Sequence, residues 1–142
     1  MNLSQHFSLE ELTASETADR AGIDNTPNDE VIAKLIILAS GLEKIRSVLG
    51  YPIHINSGYR CPELNKAIGG ALNSQHMTGN AADLICPAFG PPLAICRVII
   101  NSGIAFDQLI REFTWVHVSF VKDYPRESVL TFNGKTYSEG IS

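Results

Sequence analysis

Apolar residues recur at alternating spacings of four and three from Val31 through Leu35, Leu38, Leu42 and Ile45 to Leu49, which predicts one long helix with a single core-facing stripe. Thr26 reads as its cap, Pro27 suits its first position and Gly50 ends it. Upstream, residues 8 to 20 predict a short acidic helix at the periphery, with Ser8 as cap and Glu11 completing a capping box. Downstream the period changes. Pro52 to Asn56 alternates as a strand that leads into the turn Ser57-Gly58-Tyr59-Arg60, and Pro62 to Ile68 predicts a short helix stopped at Gly69-Gly70. After a loop over 71 to 80, Ala81 to Ile85 reads as a strand, and Pro91-Pro92 opens a helix to about Asn101.

The remainder is β-rich. Phe106 to Phe113 and Trp115 to Val121 predict a tight hairpin about Thr114, and Val129 to Phe132 pairs with Lys135 to Ser138 across Asn133-Gly134, with residues 134 to 142 prone to fray. Helices first and strands later give an α+β class, helices packed on one antiparallel sheet. A chain of 142 residues suits one domain, residues 1–142, and a monomer.

Composition removes several function classes. A net charge of −4 with 11 scattered basic residues argues against nucleic acid, which needs a clustered cationic surface. The longest apolar run, Leu35 to Ala39, is too short to insert in a membrane, and MNLSQHFSLEEL lacks the basic and apolar regions of a signal peptide. The expectation is therefore synthesis in the cytoplasm without a leader. Cys61, Cys86 and Cys96 are odd in number and have no paired spacing, so they read as packing residues.

The chemistry lies in Ser74-Gln75-His76-Met77-Thr78-Gly79-Asn80-Ala81-Ala82-Asp83. Asp83 sits on a strand among alanines, where a buried carboxylate costs several kcal/mol unless a cation compensates it. In Trp115-Val116-His117-Val118-Ser119-Phe120, alternation sends Val116, Val118 and Phe120 to the core and His117 and Ser119 to the other face. His76, Asp83 and His117 make a two-histidine, one-carboxylate set that suits Zn2+ and leaves a fourth position for water, the arrangement of a catalytic rather than a structural site. Such a site needs a carboxylate to move protons. Glu112 is the candidate, with Asp107 as the second choice. Arg60 reads as a cap for the 61–68 helix or a partner for Glu63. His6 and His54 read as surface or sheet residues.

These residues resemble the zinc D-Ala-D-Ala carboxypeptidase-like peptidases, a group with wall-trimming carboxypeptidases, phage endolysins and the hedgehog signalling domain. The pattern SxHxxGxAxD falls on Ser74, His76, Gly79, Ala81 and Asp83, and the late Trp-x-His element falls on Trp115 and His117. The SGYR segment also resembles the family's, in which the arginine approaches substrate, here Arg60. HFSLEEL and the Asp107 to Glu112 run resemble a compact subfamily common in phage genomes. The better-known members carry their catalytic acid three residues before the last histidine, where this chain has Thr114.

The resemblance implies a zinc-dependent peptidase acting on an amide bond of peptidoglycan stem peptides, as carboxypeptidase or endolysin, at the wall after holin release or from a phage particle. The alternative is a zinc-containing wall-binding module without catalysis, which Thr114 motivates.

Overall fold

A computed structural model describes residues 1–142. The main helix, α3 (Asp29–Leu49), forms as its period requires: Leu35, Leu38, Leu42 and Ile45 are fully buried, each worth roughly 1.5–3 kcal/mol of burial. Its cap is not Thr26 but Asn28, whose side chain accepts from the Val31 N–H, and Gly50 closes it in the left-handed conformation. The expected single helix over 8 to 20 is two. α1 (Leu9–Thr13) is capped by Ser8, and α2 (Glu16–Ala21) by Ser15, so the second serine starts a new helix where the first would have continued. Nor is this region peripheral, because Phe7 and Leu12 are buried in the core and the Leu12 carbonyl accepts from the Tyr59 N–H at 2.7 Å.

β1 (His54–Ser57) and α4 (Pro62–Ala67) precede a 3-10 turn at Gln75–Thr78, inside the stretch expected to be loop. β2 (Ala81–Ile85) and α5 (Pro92–Ser102) follow, then β3 (Gln108–Arg111), β4 (Val116–Ser119), β5 (Ser128–Phe132) and β6 (Tyr137–Glu139). One sheet runs in the order β1-β2-β4-β3-β5-β6. It departs from the expected all-antiparallel arrangement at one pair: β5 lies parallel to β3, because the chain crosses from β4 past β3 before pairing. The β3–β4 turn spans residues 112 to 115, closed by Glu112 N–H to Trp115 carbonyl at 3.1 Å, and is wider than a turn on Thr114 alone. The tail does not fray as a whole, since 137–139 pair with β5.

The sheet has two unlike faces. Ala82, Leu84, Leu109, Val116 and Val118 point into the core with α3 and α5. The alternate residues Asp83, Ile110 and His117 face the other way, toward the 58–80 segment. No helix is long and apolar enough to cross a membrane.

Candidate metal centre

Strand register brings the first two candidate ligands together. Asp83 and His117 are opposite residues in the antiparallel β2–β4 pair, on the face away from the core, and His117 Nδ1 lies 3.1 Å from Asp83 Oδ1. His76 arrives from the 3-10 turn. Ser74 caps that turn by accepting from the His76 N–H, and Gly79 ends it at φ +83, where a Cβ would also press within 3.0 Å of the Val31 carbonyl and side chain. His76 Nε2 then stands 3.3 Å from the same Asp83 oxygen. Ser74, His76, Gly79 and Asp83 of the 74–83 motif thus each have a structural task.

The second segment that stood out, 57 to 60, supports the first. The Gly58 carbonyl is 2.7 Å from His76 Nδ1, so that nitrogen carries the proton and Nε2 turns its lone pair to Asp83. Gly58 can do this because it has no side chain: a Cβ there would meet the Leu12 carbonyl oxygen at 2.3 Å. The Arg60 N–H also holds the His76 carbonyl at 3.1 Å.

The donor set fits a zinc ion. The donor atoms of His76, Asp83 and His117 all lie within 4.8 Å of one another. Zinc–ligand bonds of about 2.0–2.2 Å in a tetrahedron separate donors by roughly 3.3–3.5 Å, close to the 3.1 and 3.3 Å found between Asp83 Oδ1 and the two imidazoles. A lone pair of His76 facing a carboxylate oxygen is repulsive unless something positive lies between them, which one cation does for all three groups.

Charge is arranged accordingly. Burial works against ionisation of Asp83, but the hydrogen bond from His117 and the closeness of the His76 ring outweigh it and hold the carboxyl below the ordinary carboxylate range. Its other oxygen pairs with Arg60 Nη2 at 3.3 Å. Arg60 is in turn committed through Nε to Ser57 and Nη1 to Asn65, so it neither pairs with Glu63 nor caps α4, whose cap is the Cys61 sulfur.

A cavity of about 470 Å³ opens above the centre, and Glu112, Arg60 and Trp115 are in its wall. Glu112 continues the alternation of β3 two places beyond Ile110, which sits opposite His117. Burial, and next the Asp83 charge, raise its carboxyl above the usual range against the opposing pull of His117, Trp115 and Arg60. Asp107 is elsewhere engaged. It is buried, takes hydrogen bonds from Arg126 and Gln75, and is pulled down to about 2 by them against its own desolvation. Thr114 is exposed and borders a separate hollow with Ile85 and Pro91, away from the cavity.

Other expectations fall outside the site. His6 pairs with Glu43 at 2.7 Å and His54 is exposed on the edge strand. Cys86 and Cys96 are buried, and burial pushes the Cys96 thiol up to about 12. Gln108, Arg126 and Tyr137 also line the wall, and the sequence reading singled out none of them as a site residue. Tyr137 belongs to the tail expected to fray, and its only local clue was the Asn133-Gly134 turn that delivers it.

Comparison with known proteins agrees with the geometry. A family model described as Peptidase M15 matches residues 5–119. A zinc D-Ala-D-Ala carboxypeptidase of Streptomyces albus G is 42% identical over 53 residues, which is 37% of this chain and 21% of that protein, so the match spans about one fifth of the relative's length. Zn2+ is the ion that the family and this relative imply.

Proposed function

Because the chain belongs to the peptidase M15 family, we propose that it is a zinc-dependent peptidase that hydrolyses an amide bond in peptidoglycan stem peptides. The observation that carries the reading is the meeting of the three candidate ligands with Glu112 in one cavity.

His76, Asp83 and His117 hold the ion in this reading, with Gly58 and Arg60 fixing the orientation of His76 and Asp83. An ion held there would supply Lewis-acid polarisation of the scissile carbonyl and would lower the pKa of water enough for it to act as a nucleophile near neutral pH. Glu112 accepts the proton that the attacking water loses and returns it to the amine nitrogen as the C–N bond breaks, for a net consumption of one water. Its raised pKa suits both halves of that exchange. Arg60 and Trp115 line the cavity of about 470 Å³ that receives the peptide in this reading.

The relative's name supports the substrate class, and the likeness of 6–12 and 107–112 to compact phage-type members supports a wall-lytic setting such as a phage endolysin. Residues 1–142 act as one domain in this proposal. The test is mass analysis of soluble products after incubating zinc-loaded protein with purified sacculi, beside a His76→Ala control. Zinc-dependent fragments are expected and identify the bond cut. Full zinc occupancy, sacculus binding and no fragments would replace the peptidase with a wall-binding module.

A further inference from the structure

Arg126 lies beyond residues 5–119, the part of the chain that the family model matches, yet it borders the same cavity as His76, Glu112 and His117. Its place there is strongly determined. Asp107, 4% exposed, accepts from the Arg126 backbone N–H at 2.9 Å, from Nε at 3.1 and 3.2 Å, and from Nη2 at 2.7 Å. Gln75, the neighbour of His76, donates to the same carboxylate at 2.9 Å, which ties this arrangement to the turn carrying the candidate ligand. On either side of Arg126 the backbone is left-handed at non-glycine residues, Tyr124 at φ 54 and Glu127 at φ 51. Such conformations persist where surrounding contacts over-determine them, and they concentrate where a side chain must be held for a purpose.

The pairing uses one side of the guanidinium. Asp107 takes Nε and Nη2, and Nη1 has no protein partner, so the end-on edge of the fork remains available. The side chain is 57% exposed at the cavity wall. Arg60 is the contrasting case, because Ser57, Asn65 and Asp83 occupy all three of its nitrogens and its side chain is 13% exposed. Of the two cavity arginines, Arg126 is the one with a free edge to offer an incoming carboxylate, and a planar fork binds that group in two parallel hydrogen bonds.

We infer that Arg126, held by Asp107, is a specificity-determining residue that binds a carboxylate of the peptide substrate. The inference rests on the peptide-substrate reading above. Two carboxylates of a stem peptide could supply the group: the terminal one, or the α-carboxylate of a γ-linked glutamate.

Calorimetric binding to zinc-loaded protein distinguishes them with four defined ligands: an N-acetylated tripeptide ending in D-Ala-D-Ala and its terminal carboxamide, and a γ-glutamyl pentapeptide and its α-amide, each measured with wild type and Arg126→Gln. Zinc content and thermal midpoint are recorded for both proteins. The variant is expected to lose about tenfold or more in affinity for one acid and little for its amide, and the pair affected names the carboxylate. A misfolded variant would weaken acid and amide alike, so Arg126→Lys, which keeps the charge and loses the fork, is run beside it and is expected to show a partial, acid-selective loss. Equal affinities of wild type and variant, or equal losses for acid and amide in both pairs, would overturn the inference alone. Wild-type protein that binds none of the four would overturn the substrate class and this inference with it.

Discussion

Asp83 and His117 are opposite one another in the antiparallel β2–β4 pair, and this register alone puts His117 Nδ1 at 3.1 Å from Asp83 Oδ1. The candidate centre is therefore built on paired strands, with only His76 supplied by a turn. Strands hold side chains more closely than loops do, so removing a ligand should cost the ion before it costs the fold.

His117→Ala is expected to stay folded and bind zinc at least about 100-fold more weakly, since two protein donors replace three. In wild type, zinc at about 100 times its dissociation constant should add roughly 2.7 kcal/mol of stability and raise the melting temperature by several degrees, and a chelator should reverse this. Equilibrium dialysis and thermal melts check both. An unchanged zinc affinity in the variant would remove His117 from the ligand set.

Glu112→Gln keeps the shape of the side chain and removes its base. The variant should retain zinc and its melting temperature while kcat falls by about 10²–10⁴. Thr114→Ala should leave kcat within a factor of about two, because Thr114 lies outside the cavity. The reverse pattern in steady-state kinetics would transfer the proton-moving role away from Glu112.

Gly58→Ala tests the support beneath His76. The added methyl meets the Leu12 carbonyl oxygen, so α1 and the end of β1 must move apart at a cost of about 1–3 kcal/mol. The Gly58 carbonyl moves with them, and zinc affinity should fall about 10- to 100-fold as His76 loses its partner. Urea denaturation and zinc titration read the two effects separately. A loss of stability with unchanged zinc affinity would mean that the carbonyl does not orient the imidazole.

Asp107→Asn tests the anchor of Arg126. The Asp107 carboxyl is held at about 2, chiefly by the hydrogen bonds from Arg126, whereas the unfolded chain has the ordinary value near 3.8. A depressed carboxylate stabilises the fold at pH above the unfolded value, and that contribution disappears as pH falls through the folded one. The stability gap between wild type and Asp107→Asn should thus be about 2 kcal/mol at pH 7 and should shrink between about pH 4 and pH 2. Denaturation across that range checks it. A gap that persists unchanged at pH 2 would mean that it arises from packing rather than charge.

The sequence by itself determined what is encoded over a few residues. The 3.6-residue period of α3, the strand at 81–85, and the alternation that turns His117 away from Val116 and Val118 were all legible, because each depends on local geometry. So was the grouping of His76 with Asp83, since one short turn and one strand carry both. Local signals also misled where they competed: Ser15 capped a second helix inside what reads as one, and Asn28 displaced Thr26 two residues downstream. Tertiary structure decided everything that depends on which strands meet. It placed Glu112 in the cavity and Thr114 outside it, because the β3–β4 turn is four residues wide and Glu112 continues the alternation set by Ile110. It made Asp107 an anchor for Arg126, and it laid β5 parallel to β3, so that the β5–β6 hairpin that local pattern suggested carries Tyr137 to the wall. Register between strands distant in sequence is set by the packing of the whole sheet and core, and no window of neighbouring residues contains it.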